Sequence, residues 1–196
     1  MNEFVIPAAV ALVLLFWGVG AYRRLVRMQN QVRNAYAQIV VQLKRRHELV
    51  PALVEAAKTY MTHEREMLEA VIDARNQAVT PGAKAAADPS DTDRMQRMAA
   101  AEELLSSSIG SMLALTNNYP ELKVDQNMMQ LTEEVRANGN RIAFARQAYN
   151  DGVMQYNASR QQFPVSIIAF LFVFKPAQTF RAMDVPEEHG PARVSS

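Results

Sequence analysis

Two histidine–acid clusters are the residues best suited to chemistry in this sequence. His47 precedes Glu48, and His63 opens a His-Glu-Arg-Glu run that ends at Glu66. A zinc site here would use His63 and a ligand one helical turn away, completed by side chains from another helix. Neither cluster has the His-Glu-x-x-His spacing of zinc hydrolases, so the pattern favours solvated or helix-capping roles. We therefore expect no metal and no other cofactor.

The sequence also lacks the usual signatures of other enzyme classes. It contains no glycine-rich phosphate loop, and no serine, threonine or lysine stands in a nucleophile motif. It has no cysteine, which excludes disulfides, thiolate metal sites and a cysteine nucleophile. We predict a protein that is not an enzyme, with a hydrolase or metal-dependent enzyme as the least supported alternative.

Charge patterning limits the classes of partner. All 21 lysines and arginines and all but one of the 20 acids lie beyond residue 22, so that part of the chain is close to neutral. It offers no broad basic field, and we expect no nucleic-acid partner. The densest basic run, Lys44-Arg45-Arg46, is a candidate for binding phosphates or an acidic partner. A solvated helix end is the favoured explanation of the same three residues.

The elements that would position these residues begin with an uncharged stretch over residues 4–22. As a helix it would reach about 28 Å, close to the thickness of a bilayer's hydrocarbon core. The pattern predicts a transmembrane signal anchor. A cleaved signal peptide would need a basic N-terminal region, and a buried core helix is rarely apolar on all sides for this length. The residues that define the predicted anchor are Phe4, Leu14, Trp17, Tyr22, Arg23 and Arg24.

The charges that flank this anchor predict its orientation. Arg23, Arg24 and Arg27 follow the apolar stretch, whereas residues 1–3 carry only the acid Glu3. Because positive residues are retained on the cytoplasmic side, we expect a short extracytoplasmic tail and a cytoplasmic domain. The predicted location is a bacterial inner (cytoplasmic) membrane, crossed once.

Helical periodicity dominates the rest of the chain. Apolar residues recur seven apart from Leu25 onward, as in a coiled-coil seam. We predict an all-α fold in which the transmembrane helix is followed by an antiparallel four-helix bundle of long helices over residues 23–162. Pro51 interrupts the seam, and we expect the chain to reverse there; a kinked continuous helix is the alternative. The core is predicted to contain Leu43, Leu53, Leu105, Leu131 and Ile142.

Composition predicts the remaining boundaries. Residues 80–93 are polar and contain proline, which favours a mobile loop. Asp91 or Asp93 would cap the helix that follows it. The last helix should run from about Asp125 to Gln162, and residues 181–196 should form a disordered tail.

Residues 163–180 form a separate apolar segment whose centre, residues 165–174, reads VSIIAFLFVF. A run of this length cannot span a bilayer. It would either contact the membrane or another protein, or fold back to cap the end of the bundle. The residues predicted to make such contacts are Ile167, Phe170, Leu171 and Phe174.

Tyrosines and polar residues on the predicted helices complete the set. We expect Tyr36, Tyr60, Tyr149 and Tyr156 to be core aromatics whose hydroxyls reach polar partners. Five polar residues of the last helix would either face Glu55 or Glu64 or simply face water. These five are Arg141, Arg146, Asn150, Asp151 and Asn157.

Five stretches of the chain form a recognisable series, namely VQLKRRHELVPALVEAAKTYMTHE (41–64), LEAVIDAR (68–75), NYPELK (118–123), IAFARQAYNDGVMQYN (142–157) and the FP…FLFVFKP segment (163–176). In their order and spacing they resemble the LemA family. The resemblance implies a membrane-tethered helical bundle and no particular reaction. The sequence departs from the family pattern at residues 138–141, where an acid usually precedes Asn-Arg, and at Phe170 and Val173, where the family tends to have glycine.

The sequence therefore predicts a non-enzymatic, membrane-anchored helical module that scaffolds or adapts membrane proteins. Its expected partners are the lipid bilayer and other membrane proteins, since the tether raises the effective concentration of neighbours. The alternative is a self-assembling coat that organises the membrane, in which case the chain would form a homo-oligomer through its seam and residues 165–174.

Overall fold

The computed structural model describes residues 5–87 and 91–180, and within these ranges the chain is helical and contains no strand. The all-α prediction is confirmed. Phe4, the predicted tail over residues 1–3 and the predicted disordered tail over residues 181–196 lie outside the described residues. The helices are α1 (Val5–Lys58), α2 (Arg65–Ala87), α3 (Thr92–Leu115), α4 (Pro120–Val124), α5 (Gln126–Gln161) and α6 (Val165–Leu171), with a 3₁₀ turn at Thr116–Asn118.

Helix α1 is continuous for 54 residues and includes Pro51, so the predicted reversal there is wrong. A proline inside a helix lacks the N–H that would bond the carbonyl four residues earlier. Here that carbonyl belongs to His47, and Arg75 Nε of α2 donates to it at 3.1 Å. The side chains on either side of the proline, Val50 and Leu53, are fully buried. A replacement donor and this packing let the helix continue to Lys58.

The chain reverses just after Lys58 instead. The N–H groups of Tyr60 and Met61 both donate to the carbonyl of Ala57, which closes the last turn of α1. Met61 is buried and closes the core at this end. The reversal therefore falls several residues beyond Pro51 and leaves the number of long helices as predicted.

The N-terminal part of α1 is strongly exposed. Phe16 is 74% exposed, and its apolar neighbours over residues 10–15 are exposed as well. Among the described residues, α1 is the one helix whose length and hydropathy suffice to cross a membrane. We refer to residues 9–22 as the apolar segment of α1.

The predicted loop over residues 80–93 is wrong for its first half, because α2 continues through Thr80-Pro81-Gly82 to Ala87. The alanine-rich end of this helix has high intrinsic helix propensity, and Ala85 is buried. Residues 88–90 lie outside the described residues. The cap on the next helix is confirmed: the Asp91 carboxylate accepts hydrogen bonds from the N–H groups of Asp93 and Arg94.

Contacts between side chains give the relative directions of the helices. Arg45 pairs with Glu134 and Gln42 pairs with Asn138, so α1 and α5 are antiparallel. α2 packs against both α1 and α3. α1 and α3 run in the same direction, because Tyr36 contacts Met98 and His47 contacts Glu102. The all-α class is thus established, whereas the arrangement as an antiparallel four-helix bundle stays a prediction.

Two buried apolar clusters fill the space between these helices. One lies toward the turn after α1 and contains Leu53, Met61 and Leu105. The other contains Leu25, Ile39 and Tyr149 and reaches α6 through Ala169. Four of the five predicted core residues are buried, namely Leu43, Leu53, Leu105 and Ile142. Leu131 is half-buried at the edge of the first cluster.

Candidate functional site

An exposed apolar surface on α6 is the first feature of the candidate site. Ala169 is its buried inner contact, whereas Phe170 on the outer side is 86% exposed. We call the exposed set the α6 shelf, which consists of Ile167, Phe170, Leu171, Phe172 and Val173. Contiguous apolar side chains of this kind usually mark a contact surface.

The α6 shelf lies beside the end of the apolar segment of α1. A Cβ placed on Gly18 would lie 3.7 Å from Ile168 Cδ1, so α6 closely approaches α1 where α1 has no side chain. The Tyr22 ring packs against those of Phe172 and Phe174, with centroids 4.9 and 5.7 Å apart. The shelf and the exposed apolar segment are therefore neighbouring parts of one apolar surface.

An extended stretch over residues 174–180, which we call the strap, follows α6 and runs along α5. The Asn157 side chain bonds both backbone groups of Ala177, accepting from its N–H at 3.0 Å and donating to its carbonyl at 2.8 Å. Asn150 makes the same pair of bonds with Phe180, at 2.7 and 3.1 Å. Each asparagine side chain thus bonds both the N–H and the carbonyl of one strap residue, as the backbone of a neighbouring β-strand would.

Two tyrosines repeat this pattern. Tyr156 donates to the carbonyl of Lys175 at 2.8 Å, and Tyr149 donates to that of Gln178 at 2.7 Å. In both pairs the contacts advance by seven residues on α5 and by three on the strap. Seven helical residues rise about 10.5 Å, and three extended residues span about 10 Å, so the two repeats stay in register. We call the four side chains Tyr149, Asn150, Tyr156 and Asn157 the α5 groove.

Burial raises the pKa of two neighbouring tyrosines, Tyr149 and Tyr36. Desolvation raises the pKa of Tyr149 to about 12. It also raises the pKa of Tyr36, whose ring centroid lies 5.7 Å from that of Tyr149, to about 12, with a smaller contribution from the charge of Tyr149. Both hydroxyls therefore remain hydrogen-bond donors across the physiological range.

A buried polar cluster lies further along α1, where it meets α3. The Glu102 side chain is fully buried, and its Oε1 accepts from His47 Nε2 at 2.7 Å. Arg46 Nη1 lies 3.6 Å from the other carboxylate oxygen and donates to Ser106 Oγ at 2.7 Å. Burial lowers the pKa of Arg46, and the charge of Glu102 partly opposes that effect. The cluster joins α1 to α3 inside the domain.

The geometry of this cluster does not match a nucleophile and its base. Ser106 Oγ donates to the Glu102 backbone carbonyl at 2.8 Å, and the His47 ring bonds the carboxylate instead. Within residues 5–87 and 91–180, no group of three or more histidine or acidic side chains could hold a metal ion. The cluster is a buried ion pair whose members also hydrogen-bond to neighbouring side chains.

The structure separates the predicted basic triplet. Lys44 is exposed, Arg45 forms an ion pair with Glu134 at 2.7 Å, and Arg46 is buried against Glu102. Arg46 therefore lies inside the domain, apart from the exposed Lys44 and Arg45, and binding of phosphates or an acidic partner by the triplet stays a prediction. Among the predicted apolar contact residues, Ile167, Phe170 and Leu171 lie on the α6 shelf, and Phe174 is half-buried against Tyr22.

The α5 groove was not predicted from the sequence. The sequence predicts Glu55, Glu64 or water as the surroundings of Asn150 and Asn157, whereas their partners are backbone groups of the strap. Arg146 likewise lies over the Phe180 ring, 4.4 Å from its centroid. The Tyr-Asn dipeptide occurs at residues 149–150 and again seven residues later. That repeat on one face of a helix is the signal that would have indicated a bound extended segment.

No significant match is found among curated proteins. The LemA family model matches residues 35–195, which is more than four fifths of the 196-residue chain. The match includes the α5 groove, the α6 shelf and the strap. The chain therefore belongs to the LemA family.

Proposed function

We propose that this protein is a membrane-anchored helical adaptor that holds other membrane proteins through the α6 shelf and carries out no reaction itself. The observation that supports this most directly is the position of the α6 shelf beside the apolar segment of α1. Burying an exposed residue such as Phe170 or Leu171 against lipid or a neighbouring helix would stabilise the contact by about 1.5–3 kcal/mol.

The apolar segment supplies the anchor in this proposal. Arg23, Arg24 and Arg27 follow it directly and are all exposed. In a bacterial inner membrane these arginines would lie at the cytoplasmic headgroups, with the N-terminus outside and the helical domain inside. The shelf would then lie at the headgroup level, within reach of a neighbouring protein's transmembrane helix.

The absence of a reaction in this proposal rests on the polar side chains present. The most buried acid, Glu102, is used by His47 and Arg46 inside the domain. The α5 groove is filled by the chain's own strap. The α6 shelf, by contrast, is an exposed apolar surface that remains free to bind a partner.

The test is site-specific photocrosslinking of the full chain in native membranes, with the photoreactive residue replacing Ile167. We expect discrete products with membrane proteins, and Phe170→Asp plus Leu171→Asp should reduce their yield. Phe144→Asp is the matched control, because Phe144 is 73% exposed on α5 and lies outside the shelf. Crosslinks to lipid alone, or equal losses for the shelf and control variants, would refute the adaptor.

A further inference from the structure

The α5 groove holds the strap mainly by its backbone. Asn150, Asn157, Tyr149 and Tyr156 all bond backbone N–H or carbonyl groups of the strap. Three strap side chains are covered: Phe180 is buried beneath Arg146, Ala177 is half-buried, and Phe174 is half-buried against Tyr22. Such a site favours an extended segment in which a small residue lies three positions from an aromatic residue on either side.

The connection between α6 and the strap is strained. Val173 has a φ of 54°, in the left-handed region that β-branched residues avoid. It carries the turn that sends the chain from α6 into the groove, with the N–H of Phe174 bonded to the carbonyl of Ala169. If Val173 returned to an ordinary negative φ, the released strain would shift the equilibrium between the closed and the opened strap roughly tenfold toward the opened form.

We propose that the strap is exchanged between two copies of this chain, each copy placing its residues 174–180 in the α5 groove of its neighbour. This goes beyond the adaptor function. The occupant is a second copy because that copy carries a segment known to fit, and exchange keeps the hydrogen bonds between the strap and α5 while relieving Val173. Strained, short hinges of this kind favour exchange of an identical element.

The position of the groove makes exchange feasible. The strap begins at Phe174, which packs on Tyr22 at the end of the apolar segment. Two copies anchored through that segment would hold their straps and grooves at the same height. A strap opened at Val173 would therefore meet a neighbour's groove without either domain unfolding.

Two engineered cysteines detect the exchange, since the native chain has none. Gln96 of α3 and Gln178 of the strap line the same cavity of about 260 Å³. One population of the full chain carries Gln96→Cys and the other carries Gln178→Cys. The two are mixed in detergent micelles or liposomes and treated with a short bis-maleimide. We expect a crosslinked product of about twice the 22.0 kDa chain mass.

Two substitutions of the hinge residue Val173 should change the yield of mixed dimer in opposite directions. Val173→Gly tolerates the positive φ and should lower the yield of mixed dimer several-fold. Val173→Pro forbids that φ and should raise the yield. Asn150→Ala plus Asn157→Ala in the chain that bears Gln96→Cys should remove most of the product, and a free peptide of sequence FKPAQTF should compete with it.

Two controls distinguish exchange from a strap that stays in its own groove and from crosslinks formed by chance encounters between chains. A chain with both Gln96→Cys and Gln178→Cys should crosslink within itself. A mixture of Gln178→Cys with Thr59→Cys, at the opposite end of the domain, should give little product. Exchange is refuted if only the doubly substituted chain reacts, if Thr59→Cys reacts as well as Gln96→Cys, or if Val173→Gly leaves the mixed product unchanged. The comparison of native Val173 with Val173→Gly is enough to accept or refute exchange. The test therefore remains valid if Val173→Pro does not fold.

Discussion

Arg75 is the side chain that allows Pro51 to lie inside α1, and this role gives a sharp prediction. Its Nε donates at 3.1 Å to the His47 carbonyl, which has lost the N–H that a non-proline residue 51 would supply. A hydrogen bond from a charged donor contributes about 1.5–3 kcal/mol, and an orphaned buried acceptor costs a similar amount. Arg75→Met should therefore destabilise the native protein by about 1–3 kcal/mol.

The same change should matter far less when residue 51 has its own N–H. In Pro51→Ala, the alanine N–H can bond the His47 carbonyl, and the helix interior gains up to about 3 kcal/mol of intrinsic propensity. Adding Arg75→Met to that background should cost less than about 0.5 kcal/mol. The double-mutant cycle should thus give a coupling energy of about 1–2 kcal/mol between residues that lie 24 positions apart.

The assay is denaturant unfolding of the full chain in detergent, followed by circular dichroism at 222 nm. Arg65→Met is the matched control, because Arg65 pairs with Glu69 on the surface of the same helix. It should cost less than about 0.5 kcal/mol in either background. Equal costs of Arg75→Met with Pro51 and with alanine at that position would show that Arg75 stabilises the domain without replacing the missing donor.

Three further predictions follow from burial and charge. Glu102→Ala leaves the buried Arg46 without its counter-ion and should cost about 3–5 kcal/mol in thermal or denaturant unfolding, whereas Arg46→Met plus Glu102→Leu should recover most of that loss. Because the folded-state pKa of Tyr149 is raised to about 12, stability should be full below about pH 10 and should fall as pH rises toward 12, less steeply in Tyr149→Phe. Thr59→Cys should resist a membrane-impermeant maleimide in intact cells and react after lysis; labelling of intact cells would contradict the proposed orientation.

Much of the helical content follows from local sequence. The seven-residue apolar spacing from Leu25, the Asp91 cap and the Asp125 start of α5 are short-range signals, and the structure has each of them. The wrong boundaries arise where a distant contact overrides a local rule. Arg75 compensates Pro51 from another helix, and buried Ala85 helps α2 to continue beyond Thr80-Pro81-Gly82.

The candidate site was only partly predictable for the same reason. The apolar run over residues 165–174 is visible in the sequence, so Phe170 and Leu171 were identified. In the α5 groove, side chains of α5 bond the backbone of the strap. Every residue has such backbone groups, so the sequence does not indicate which of them an α5 side chain will bond. Val173 is the exception: the resemblance noted from the sequence implies glycine at this position, and a φ of 54° is a conformation suited to glycine.

Under the two proposals made above, binding at the α6 shelf and exchange of the strap would be energetically linked, because the shelf and the strap share the hinge at Val173. Phe172 packs on Tyr22 on one side of this hinge, and Phe174 packs on the same ring on the other. Consider a partner that binds the shelf only when the hinge is closed. Exchange of the strap lowers the affinity of the shelf for this partner, and the bound partner lowers the equilibrium constant for exchange by the same factor. Val173→Gly should therefore raise the yield of partner crosslinks from Ile167 while it lowers that of mixed dimers. Parallel losses of both products would mean that the partner recognises the exchanged dimer, and the adaptor and the self-assembled form would then be one functional state.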